Sequence, residues 1–174
     1  MTKRKIILVP DEILKKKSEK IEKITINEKQ LADDLFETMY KNNGIGLAAV
    51  QVGVLRRMIV IDISKKDEEK KPLCLINPVI KLFGKDRSTY EEGCLSIPET
   101  FIEIERPKTC IVEYIDISGK KANMECDGLL STCIQHEINH LDGKLIIDFL
   151  SKLKKDILIK KLSKNKNTSS RVIV

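Results

Sequence analysis

Both histidines of this 174-residue chain stand four apart, in Gln135-His136-Glu137-Ile138-Asn139-His140-Leu141-Asp142-Gly143. The segment Asp127–Gly143 around them has a helical period. On a wheel of 100° per residue, Leu130, Ile134, Ile138 and Leu141 fall on one stripe. His136 and His140, one turn apart, project together from a different face. A helix divided in this way has to lie between a core and a cleft, which constrains the fold more than any other segment. Asp127 is the expected cap and Gly143 the expected stop.

The remaining elements follow from pattern. NEKQLADDLFETMYKNNG reads as a first helix, with Asn27 and Gln30 as a capping box. Leu31, Leu35 and Met39 form its stripe, and Asn42-Asn43-Gly44 its stop. GIGLAAVQVG is too small and glycine-rich for a typical strand. RRMIVIDIS alternates and reads as a strand, and SKKDEEKK as a solvated loop. PLCLINPVIKLFG and RSTYEEGCLSI are further strands, broken by proline and glycine. TCIVEYIDI and KANMECD form a hairpin across Ser118-Gly119-Lys120. LSKLKKDILIKKL is a third, amphipathic helix, with Leu150, Leu153, Ile157 and Leu162 inward and lysines outward. A helix, a run of strands and two more helices predict an α+β fold. Mixed or antiparallel sheets would surround the histidine helix, between an N-terminal helix and an amphipathic C-terminal one. We expect one catalytic domain over 1–164 and a polar tail over 165–174, with no role assigned to Arg171–Val174.

Charge and cysteine content narrow the function classes. The net charge is +6, and lysines gather near the end in KLKKDILIKKLSKNKN. Such a surface suits a polyanion such as RNA, or is simply solvated. Aromatics are 4% with no Trp, which excludes a base-stacking platform. The start MTKRKIILVPDE has no signal-peptide run, and no 18-residue apolar stretch follows. A cytoplasmic protein without a membrane partner is expected. The five cysteines (Cys74, Cys94, Cys110, Cys126 and Cys133) then read as reduced thiols, some available as metal ligands.

The histidine pair is an HExxH arrangement: two imidazoles for one ion, with Glu137 offset to act on a water as general base. A catalytic site needs three protein ligands and an open position. The third could be a downstream carboxylate, Asp148 or Asp156, or a cysteine such as Cys94 in EEGCLSIPE. Alternatively, Cys133, His136 and His140, at i, i+3 and i+7, could join Cys94 in a closed Cys₂His₂ structural site. Two hydrogen-bonded histidines without metal are a further alternative.

Three segments together resemble the peptide deformylases: GIGLAAVQVG (44–53) resembles their GxGLAAxQ motif, EGCLS (92–96) their EGCLS, and QHEINH (135–140) their QHExDH. IILVPDEIL is similar to the family's opening, so the resemblance spans roughly residues 5–150. It implies Cys94, His136 and His140 as metal ligands, with a water in the fourth position as nucleophile. It implies Glu137 as general base and acid, and Gln51 and the Leu95 amide as oxyanion donors. Substrates would be the formyl-methionyl ends of new polypeptides, with formate released. Gly44, Ile45 and Gly46 would meet the peptide, and Ile45, Leu129 and Cys133 the methionine side chain. Glu92 is expected as a buried acceptor beside the pocket. The native ion would be Fe²⁺, with Zn²⁺, Ni²⁺ or Co²⁺ as substitutes. The basic C-terminal helix is a candidate ribosome contact.

The sequence departs from the family pattern in places. Asn139 stands where the family usually has Asp, and Asn43 where relatives often have Glu. Arg106 resembles the family arginine that meets such carboxylates, and is then expected to lose both partners and to rest on neutral amides alone. Thr132 makes the pocket more polar than usual. Two other classes compete with this reading: an HExxH endopeptidase, which would not need Cys94 or Gln51, and a zinc-stapled RNA- or ribosome-binding module without catalysis.

Overall fold

Strand β2 (Met58–Ile61) is buried at all four residues, because both its faces are covered. Ile59 and Ile61 enter one apolar cluster with Ile134, Ile138 and Leu141 of helix α2 (Gly128–Leu141). Met58 and Val60 enter a second with Leu31, Leu35 and Met39 of helix α1 (Ile26–Lys41). The two helices therefore pack on opposite faces of one sheet, as the period-2 alternation of β2 requires. The computed structural model describes residues 4–65 and 68–164. The tail 165–174, including Arg171–Val174, and part of the SKKDEEKK run lie outside the described residues.

The sheet has five strands in the order β1-β2-β3-β6-β7, where β1 is Gly46–Ala48, β3 Leu73–Phe83, β6 Thr109–Ile115 and β7 Lys121–Asp127. Strands β4 (Arg87–Cys94) and β5 (Ile97–Pro107) make a separate two-stranded ribbon. Every pairing between these strands is antiparallel. A third cluster joins the ribbon to the N-terminal segment, to the 3₁₀ turn Ile146–Phe149 and to helix α3 (Lys152–Lys164). The architecture is the expected α+β, with antiparallel sheets and, among the described residues, three α-helices.

Several local expectations need correction. The capping box of α1 uses Thr25 and Glu28, not Asn27 and Gln30. Both pairs fit the sequence pattern, but Glu28 also accepts from Arg56 at 3.1 Å, a tertiary contact that selects the earlier start. GIGLAAVQVG does contain a strand, the short β1, followed by a 3₁₀ turn over Ala49–Val52. β5 was not foreseen at all. On α3, Leu153 and Ile157 are exposed, at 71% and 59%. Leu150 and Leu162 pack inward as expected, and Leu158 and Ile159 take the inward places of Leu153 and Ile157. Asp127 occupies the cap position of α2 without a side-chain hydrogen bond.

Helix α2 is tied at its middle and just past its C-terminal end. Gln135 Nε2 donates to Pro107 O at 2.9 Å, and Arg57 meets Asp142 at 2.7 Å. Gly143 ends it with φ +73, and a Cβ there would stand 2.2 Å from Lys15 O. Only glycine satisfies both conditions.

Candidate active site

β4 ends at Cys94, where the ribbon register slips: Gly93 faces Phe101 but Cys94 faces Ile97. That irregularity turns the thiol toward α2. Cys94 Sγ lies 3.3 Å from His140 Nε2, and His140 Nε2 lies 3.2 Å from His136 Nε2. All three donor atoms fall within 4.8 Å of one another, and all three residues are buried. Donors around one tetrahedral ion, at the usual bond lengths, stand about 3.3–3.6 Å apart. The residues therefore fit a single divalent ion. Asp148 and Asp156 are not in this group, and neither is Cys133. Cys133 Sγ faces the Ile45 carbonyl at 3.8 Å, so the closed four-ligand arrangement is not formed.

Glu137 is 3% exposed, and its Oε2 has no hydrogen-bond partner among the described residues. Burial pushes its carboxyl up to about 7, partly opposed by His136. Burial also holds His140 well below the usual histidine range, in the neutral form that ligates metal. Cys133 is driven well above the ordinary thiol range by burial and by Glu137, so it stays a neutral wall of the cleft.

Gln51 is held at both ends of its amide. Oε1 accepts from the Ala48 amide at 2.8 Å, while Nε2 faces Ser96 Oγ at 3.2 Å and Cys94 Sγ at 3.6 Å. This aims an N–H donor at the Cys94 side of the site. Ser96 escaped sequence reasoning, although it closes the EGCLS motif. Around these groups runs a cleft of about 630 Å³, open to solvent. Gly44, Ile45, Gly46 and Leu95 line it on one side, and Leu129, Thr132 and Cys133 on another. Tyr90 and Glu91, not foreseen, also line it. Thr132 Oγ1 is buried without a partner among the described residues, so this wall is indeed polar.

The expectation that Arg106 rests on amides alone is wrong. Its Nε and one terminal nitrogen donate to Glu92, at 2.5 and 3.0 Å. Asn139 Oδ1 accepts from the other terminal nitrogen at 2.8 Å. Glu92 Oε2 also lies 2.9 Å from His136 Nδ1. Burial would raise the Glu92 carboxyl, but His136 and Arg106 outweigh it and hold it below its ordinary value. Glu92 is thus a buried acceptor and a carboxylate partner of Arg106.

A buried carboxylate beside two histidines and a cysteine, at the floor of an open cleft on an HExxH helix, defines a hydrolase site. The comparisons narrow the class. Residues 3–156 match the family model described as polypeptide deformylase. The chain is 52% identical over 174 residues to a peptide deformylase of Pelagibacter ubique, covering 100% of both chains. It is 49% identical to that of Bartonella henselae, covering 99% of this chain and 100% of the relative. Among solved structures, the peptide deformylase of Ehrlichia chaffeensis in complex with actinonin superposes with a TM-score of 0.91. That match has 41% identity and covers 97% of this chain and 100% of the other. The chain belongs to the peptide deformylase family, enzymes that remove the formyl group from nascent polypeptides beginning with formyl-methionine.

Proposed function

We propose that this chain is a metal-dependent deformylase in which Cys94, His136 and His140 hold one divalent ion and Glu137 moves the proton. The observation that carries the reading is the convergence of those three buried donors beside an unpartnered carboxylate. When bound, the ion supplies Lewis acidity and lowers the pKa of the attacking water. Glu137 takes the proton of that water and returns it to the departing amine. Gln51 Nε2, locked by Ala48 and Ser96, and the Leu95 amide donate to the formyl oxygen as it becomes negative. The methionine side chain lies against Ile45, Leu129 and Cys133, and the peptide backbone runs past Gly44 and Gly46. Glu92 holds His136 in the tautomer that leaves Nε2 free. A Cys/His/His set suits Fe²⁺ as the native ion, with Zn²⁺, Ni²⁺ or Co²⁺ able to replace it. Residues 1–164 act as one catalytic domain, in the cytoplasm.

Metal analysis combined with formate release from formyl-Met-Ala-Ser tests this reading. Cys94→Ser should lose or weaken the ion and lose turnover, while Cys133→Ser keeps the ion and most activity. Equal loss of metal from both variants would favour a closed four-ligand site.

The ribosome is a further proposed partner. Lys152, Lys154, Lys160 and Lys161 of α3 are exposed, whereas Lys155 is half-buried and paired with Asp148. The exposed lysines can meet RNA phosphates, with binding that weakens steeply as salt rises. Changing Lys154, Lys160 and Lys161 to Glu should lower co-sedimentation with ribosomes at low salt and leave formyl-peptide turnover unchanged. Unaltered co-sedimentation would leave α3 a merely solvated helix.

A further inference from the structure

The imidazole of His136 is tied to the protein through Glu92, and Glu92 through Arg106. Each nitrogen of the Arg106 guanidinium donates to a neighbour, Nε and one terminal nitrogen to Glu92 and the other terminal nitrogen to Asn139. The guanidinium in turn sits over the ring of Phe149, with Cζ 5.0 Å from the ring centroid. Arg106 is 5% exposed, while Phe149 is 49% exposed. The ring therefore covers a buried cation and meets solvent itself.

Core packing does not account for this placement. Phe149 ends the 3₁₀ turn Ile146–Phe149, whose anchors in the third cluster are Ile146 and Ile147, at 2% and 1% exposure. Phe149 itself enters none of the three apolar clusters among the described residues. The attraction of a desolvated guanidinium for a ring face does account for it.

We infer that Phe149 is a positioning residue for His136. Its ring steadies the Arg106 guanidinium, Arg106 holds both oxygens of Glu92, and Glu92 holds the Nδ1 proton and the angle of the imidazole. Outer contacts of this kind set how firmly a histidine presents its other nitrogen to an ion. The inference rests on the reading of Cys94, His136 and His140 as metal donors.

The test compares Phe149→Leu, which keeps apolar cover but removes the ring, with Phe149→Tyr, which keeps the ring. In the full chain loaded with Co²⁺, Phe149→Leu should lose the ion to excess EDTA about 3- to 10-fold faster than the parent. Phe149→Tyr should match the parent, and both variants should melt near it. Equal ion loss from Phe149→Leu and the parent overturns the inference, since cover alone would then suffice. A second readout needs no ion: exchange of the His136 Nδ1 proton with solvent, followed by NMR. It should quicken in Phe149→Leu and not in Phe149→Tyr, and unchanged exchange in Phe149→Leu overturns the inference as well. A parent chain that binds no Co²⁺ would sink the metal reading, and the proton exchange would still decide the role of Phe149.

Discussion

Glu137→Ala is expected to keep its metal and lose formyl-peptide turnover by about 10²–10⁴-fold, the range for removal of a positioned acid–base group. The ion should stay because its donors are Cys94, His136 and His140, and Glu137 is outside that group. The fold should persist because Glu137 Oε2 has no partner among the described residues to lose. The loss should appear in kcat, since the carboxylate acts on the proton in flight more than on the bound peptide. Ion content and formate release measured on one preparation decide the matter. A metal-loaded Glu137→Ala protein with appreciable turnover would remove Glu137 from the mechanism.

Gly46→Ala should cost nearly as much, although residue 46 supplies no reacting side chain. A Cβ there would stand 2.4 Å from Glu137 Oε1 and 2.8 Å from Cys133 Sγ, closer than real contacts allow. The backbone cannot retreat freely, because Gly46 is paired with Ile61 in the sheet. Glu137 has little room to swing, being 3% exposed. The carboxylate must therefore move by something near an ångström, and displacements of that size cost about 10²-fold in rate. Gly44→Ala is the control. Its Cβ would meet Leu95 Cδ1 at 2.8 Å, the end of a flexible side chain that can yield. Turnover by Gly44→Ala should fall only a few-fold, and ion content should hold in both variants. Near-normal turnover in Gly46→Ala would mean that the cleft adapts where the geometry says it cannot.

Much of the fold was legible where burial imposes a regular period. The stripes of α1 and α2, the alternation in β2 and the β6–β7 hairpin all turned out as read. β5 carried the same kind of signal, since Ile102, Ile104 and Arg106 alternate with exposed residues. It was obscured because its third inward residue is an arginine, a type seldom buried without a partner. That partner, Glu92, lies across the ribbon. On α3 two apolar sets compete, and only the packing against the third cluster selects Leu158 and Ile159 over Leu153 and Ile157.

The sequence by itself determined the helix that carries His136, Glu137 and His140, because a four-residue spacing on a 3.6-residue turn puts them on adjoining faces whatever surrounds them. With the family resemblance it also nominated Cys94 and Gln51, 42 and 85 residues before His136. Only the tertiary structure decided that Cys94 closes on His140 while Cys133 turns away, that Arg106 pairs with Glu92, and that Arg106 sits over the ring of Phe149. Those outcomes depend on the strand register of the ribbon and on where the 3₁₀ turn after α2 docks. Both are set by contacts between segments far apart in the chain, which no local period encodes.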